Sequence, residues 1–176
     1  MATDIELITL AKSILDAGLA ALSISATVKR GNQPTQQGFV GGPGVYIWPI
    51  DGDKYGFQSR DDKYDSTAGH IVHTERYRCE TPFQFTCIAL TGDNTFTSGD
   101  LAFNCAALLQ SDAAIATMQA ADVAVLRVSQ VRNVPFLDDK NVYKHSASFD
   151  VVFTHHREIV GTVPAIETIT FNADRV

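Results

Sequence analysis

A chain of 176 residues, 45% hydrophobic and 19% charged, has the composition of one folded domain that can bury a core without disulfides or metal. Its net charge of −6 argues against a reader of nucleic acid, which presents a basic surface, but not against a protein that lets DNA pass without gripping it. No apolar run approaches bilayer-spanning length, and MATDIELITLAK places acids before its apolar residues with no basic stretch; neither an integral membrane protein nor a secretory signal is expected.

In chain order, Ile5, Ile8, Ala11, Leu15, Leu19 and Leu22 recur at steps of three and four, which predicts an amphipathic helix from Asp4 to Leu22, capped by Thr3 or Asp4. SISATVKR is a β-branched run fit for a strand, and the loop NQPTQQGFVGGPG follows it. VYIWPIDGDKYGFQS reads as two short strands joined at Asp51-Gly52, a hairpin signal. Pro49 marks the first of them as an edge strand or one that ends early.

Charge then concentrates. Residues 51–80 hold seven acids and five bases, twelve of the chain's 34 charged groups, against five in residues 81–131. Residues 60–75 read as a long exposed loop or an extended hairpin arm, and segments of that length usually bind something. In RYRCETPFQFTCIAL, Phe83, Phe85, Cys87 and Ala89 share one strand face. TFTSGDLAFNCAALLQSD predicts a helix capped by Thr97 or Ser98, with Leu101, Cys105, Leu108 and Leu109 on one face. SDAAIATMQAA predicts a second, short helix starting at Ser111 or Asp112. VAVLRVSQV reads as a mostly buried strand and NVPFLDDKN as a turn-rich connector. SASFDVVFTHHREI is a long strand with Phe149, Val151, Phe153 and His155 on one face; after a turn at GTVP, AIETITF is the last strand. This order predicts an α+β domain: a mainly antiparallel β-sheet with helices packed on one side, plus the charged loop or hairpin arm.

Few residues invite chemistry. His155 and His156 are adjacent, and strand alternation sends them to opposite faces, away from any shared ion. His70 and His73 form an HxxH beside Asp65 and Glu75, but nothing local fixes them at coordination distance. DGDKYG opens like a calcium loop, yet Asp62 holds the twelfth position counted from Asp51, where glutamate belongs, and no helices flank the run. VGGPG precedes a strand and lacks the spacing of a phosphate cradle. Cys79 and Cys87, eight residues apart on one strand, lie roughly 26 Å apart, out of disulfide reach. With Cys105 they are expected as reduced thiols. The residues suggest no enzyme, cofactor or metal.

The C-terminal third, SASFDVVFTHHREIVGTVPAIETITF, resembles the closing hairpin of tailed-phage tail terminator (neck terminator) proteins, in which S-x-F-D-V-x-F leads through a turn into T-x-P-A-I-E-x-I. The matching positions are Ser148, Phe149, Asp150, Val151 and Phe153, then Thr162, Pro164, Ala165, Ile166, Glu167 and Ile169. The resemblance implies a single domain over residues 1–176, with a charged arm at about 51–80, that assembles as a homo-hexameric ring. Such a ring caps the tail tube, stops its polymerisation and joins the head-side connector; the sheath protein is a further partner and DNA only passing cargo. It implies a virion protein of the tail-neck region, assembled in the host cytoplasm, with no catalytic residues or cofactor.

A ring needs head-to-tail contacts between copies, and the exposed charges of the arm set the register of such contacts. Arg60, Asp61, Asp62, Lys63, Tyr64 and Asp65 are the interface candidates. Competing readings are another phage neck or connector protein, a tail-tube subunit, and a small binding domain or enzyme using His70, His73 or His155.

Overall fold

The computed structural model describes residues 3–31, 42–50, 52–89, 96–137 and 143–164. The elements run α1 (Asp4–Ala21), β1 (Thr27–Arg30), β2 (Gly44–Pro49), β3 (Asp53–Asp65), β4 (His70–Ile88), α2 (Ser98–Leu108), α3 (Asp112–Ala120), β5 (Val123–Val128), β6 (Arg132–Leu137) and β7 (Tyr143–Pro164). The expected α+β class, with a mostly antiparallel sheet, is what forms.

The helices start where their caps dictate. The Thr3 side chain accepts from the Glu6 backbone N–H while Glu6 reaches back to the Thr3 backbone, and Thr97 and Asp100 repeat the arrangement at α2. These capping hydrogen bonds hold the Glu6 and Asp100 carboxyls below their usual range. Ser111 caps α3. Ser98 ties α2 to the sheet: its hydroxyl donates to the His145 carbonyl at 2.8 Å and accepts from the Ala89 N–H at 2.9 Å.

Two long strands form the middle of the sheet. β4 pairs with β7 from His70↔Pro164 to Ile88↔Ser146 without a break. The 22 residues of β7 span roughly 70 Å at ~3.3 Å per residue. Along the other side of β4 lie β2, opposite Phe83–Ile88, and then β3, opposite His70–Glu80. Along the other side of β7 lie β5 and β6, opposite 151–155 and 143–148. β1 adds in parallel outside β2.

One face of this sheet is the core. Phe83, Phe85, Cys87, Phe149, Val151 and Phe153 alternate inward and pack under α1 and α2, where Leu7, Leu15, Leu19, Leu101 and Cys105 close over them. Phe85 stacks on Phe149 with centroids 5.1 Å apart, and Phe83 meets Phe153 edge-on at 5.7 Å.

Four expectations change. Asp51-Gly52 does not join a hairpin: β2 and β3 pair with β4 rather than with each other. The chain crosses from one to the other close against β4, where a Cβ at Gly52 would stand 2.9 Å from the Glu80 carbonyl oxygen, so glycine there serves a close approach rather than a tight turn. Of the two alternatives for the charged segment, the extended hairpin arm is the one that forms. β5 is not mostly buried: only Val123 is, because β5 is an edge strand with a bulge between Val125 and Arg127. The connector NVPFL is strand β6, and its Pro135 fits because β6 lies at the edge, where a missing N–H costs no ladder bond. GTVP is not a turn either, since β7 continues through it against His70–His73. The loop at 32–41 and the last strand, AIETITF, fall outside the described residues.

Candidate interface on the charged arm

The arm exists because three strands outrun the helices. β3 and β4 form its hairpin, and the last third of β7 pairs along the other side of β4. Residues directly opposite across a sheet share a face. On the core-facing side of the sheet, moving outward, the rows are Tyr77 and Arg157, then Arg60, Glu75 and Ile159, then Asp62, His73 and Gly161, then Tyr64, Ile71 and Val163.

The interface candidates of this segment divide by role. Arg60 pairs with Glu75 at 3.3 Å, and Lys63 lies 3.4 Å from Asp61. Asp62 hydrogen-bonds His73, whose other ring nitrogen meets Glu75 at 3.2 Å. The two carboxylates raise the His73 pKa, Asp62 more than Glu75. Asp65 accepts from the Thr67 and Ala68 N–H groups at 2.9 and 3.2 Å and so shapes the hairpin turn. The charges thus cross-link the arm to itself. Tyr64 is the exception, 60% exposed at the tip.

The sequence reading missed the apolar side chains of the arm. Ile159 and Val163 are each 51% exposed, Val160 lies on the opposite face, and Phe57 stands wholly in solvent near the bulge between Tyr55 and Ser59. β7 alternation alone could have marked Ile159 and Val163. Their proximity to Tyr64 and Ile71 needs a pairing over some 90 residues of sequence, which no local signal carries.

The histidines separate as strand alternation requires. His155 is buried; its Nε2 lies 3.1 Å from the Thr81 hydroxyl, and burial depresses its pKa. His156 faces the other way, 3.2 Å from Asp122, which Arg76 also holds at 2.8 Å. The imidazole, more than the guanidinium, keeps Asp122 below the usual carboxylate range. His70 and His73 sit on opposite faces of β4, His70 near the Ala68 carbonyl at 3.3 Å. Among the described residues no group of three His, Cys, Asp or Glu side chains is placed to hold a metal. Cys79, Cys87 and Cys105 are free and buried, and a hydrogen bond with Cys105, together with burial, pushes the Cys87 thiol well up. Among the described residues no single helix is long and apolar enough to cross a membrane.

No curated protein matches the chain. Among solved structures, the whole chain overlays the sheath/tube terminator of an extracellular contractile injection system, PVC, seen by electron cryo-microscopy in its extended state, with a TM-score of 0.53 and 13% identity. At that identity the likeness is one of fold, and the chain spans 65% of that protein's length. The family model for the E217 gateway protein gp29 matches residues 6–165, a span that includes both long strands and the arm, and the chain belongs to this bacteriophage family.

Proposed function

We propose that the chain is the tail terminator of a phage particle: a subunit of a homo-hexameric ring that caps the tail tube, stops its polymerisation and presents a surface to the head-side connector. The observation that carries this reading is the family match over residues 6–165. The overlay of 100% of the chain on a sheath/tube terminator supports it. A structural role, not catalysis, suits a chain in which His73, His155 and His156 bind carboxylates and a hydroxyl of its own fold. The sheath protein is the further partner, since the terminator it resembles in fold belongs to a sheathed tube. Net charge of −6 suits a conduit, because few phosphate contacts leave DNA free to pass. The protein then resides at the tail neck of the virion after assembly in the host cytoplasm.

The test is tube growth. Cognate tube subunits are polymerised with and without the purified protein and imaged in negative stain. Shorter tubes, each with a ring at one end, are expected. Tubes of unchanged length with bare ends would overturn the assignment.

A further inference from the structure

We infer that the core-facing side of the arm tip is the seat for a second copy of this chain, which docks the groove beside its α1 there. The inference rests on the ring reading and supplies the contact that would build the ring.

The first observation is a notch. Ile159, Gly161 and Val163 follow one another on the same face of β7, and a Cβ built at Gly161 meets nothing within 4 Å. A strand glycine costs stability and often marks a place where another chain approaches closely. Ile159 and Val163 wall this notch, and Tyr64 and Ile71 extend the wall across the tip. With Tyr64 60% and both aliphatics 51% exposed, the three side chains present on the order of 300 Å² of apolar surface, about the size of the largest patch on a soluble monomer, which is often functional.

The second observation concerns the charges. Arg60, Asp62, His73 and Glu75 form one hydrogen-bonded chain beside the notch. Arg60 offsets one of the two carboxylates, so this hydrogen-bonded chain carries a net charge of −1 with His73 neutral and none with His73 protonated; the exposed anionic group beside the notch is the Asp62 carboxylate. These groups act as a polar rim that fixes register, while the apolar groups supply the contact energy.

The third is the complementary surface. A groove of about 280 Å³ runs between α1 and the edge strand β1; Ile5, Ile8 and Val28 form its apolar lining and Lys12, Lys29 and Arg30 its rim. Ile5 projects from it, 60% exposed. An apolar notch edged by the exposed Asp62 carboxylate thus meets, at the far edge of the sheet, an apolar groove edged by Lys29 and Arg30, where Lys12 is already paired with Asp16. Two different surfaces of one chain make a heterologous contact, the kind from which a cyclic ring is built.

The experiment is sedimentation velocity of the full chain over a range of concentrations. It compares wild type with Gly161→Trp, Val163→Asp and the double change Lys29→Glu/Arg30→Glu. Circular dichroism and thermal melting verify the fold of each; a Cβ at Gly161 meets nothing within 4 Å, so a side chain there starts in open space. Wild type is expected to assemble, and each variant to weaken self-association at least tenfold. Variants that assemble like wild type would overturn this contact and leave the ring reading intact. A wild type that stays monomeric would overturn both. Variants that assemble normally but no longer cap tubes would give the notch to a tail protein instead, which also overturns the second-copy assignment.

Discussion

Truncating Phe149 to alanine tests whether the core-facing side of β7 is the buried one. Phe149 is fully buried and stacks on Phe85 at 5.1 Å with an interplanar angle of 12°. Removing the ring forfeits its transfer energy and the stack and leaves a cavity between the sheet and the helices. The expected loss is about 4 kcal/mol, within the ~3–5 kcal/mol range for buried Phe→Ala changes. For a chain of this length that lowers the melting temperature by roughly 8–16 °C. Phe57→Ala is the control: its side chain stands wholly in solvent, so a change within about 0.5 kcal/mol is expected. Urea denaturation followed by circular dichroism measures both, repeated at several protein concentrations so that self-association does not enter the difference. A loss below about 2 kcal/mol for Phe149→Ala, or equal losses for the two variants, would refute the assignment of the core face.

Two further predictions rest on local chemistry. An NMR pH titration is expected to find His73 titrating above 6.5 and His155 below it, because carboxylates raise the first and burial lowers the second. The signs on stability are therefore opposite. His155 adds stability that is complete above its unfolded value near 6.5 and is lost as pH falls through its folded value, whereas the His73 contribution is complete below 6.5 and is lost as pH rises through its folded value. A His155→Gln variant whose stability falls as steeply on the acid side as wild type would contradict this account. Thr3→Ala and Thr97→Ala each remove a capping box and are expected to cost about 1 kcal/mol by chemical denaturation; a loss of a few tenths or less would show that the caps do not hold α1 and α2.

Local periodicity made much of the fold legible. The α1 stripe from Ile8 to Leu19, the Thr97 and Ser111 caps and the alternation of Phe149, Val151, Phe153 and His155 each depend on residues a few positions apart and formed where the spacing placed them, whereas Ile5 and Leu22 at the ends of the predicted stripe are exposed. Local signals misjudged the edges. Pro135 and GTVP look like chain breakers, yet each finds a strand position along β7 or β4 that tolerates it. Asp51-Gly52 looks like a hairpin turn, but β4 is long enough to pair with both flanking strands in succession.

The candidate site divides the same way. Sequence by itself determined that residues 51–80 carry an excess of charge, that the strands alternate and that α1 has one apolar side, because each is a property of composition or of the helix and strand periods. Only the tertiary structure decided that Arg60, Asp62, His73 and Glu75 satisfy one another and that Tyr64, Ile159 and Val163 stand uncovered on the same face. The reason is distance along the chain: β7 reaches the arm from some 90 residues away, and the register of that pairing is fixed by burial of the Phe83, Phe85, Phe149 and Phe153 face far from the tip.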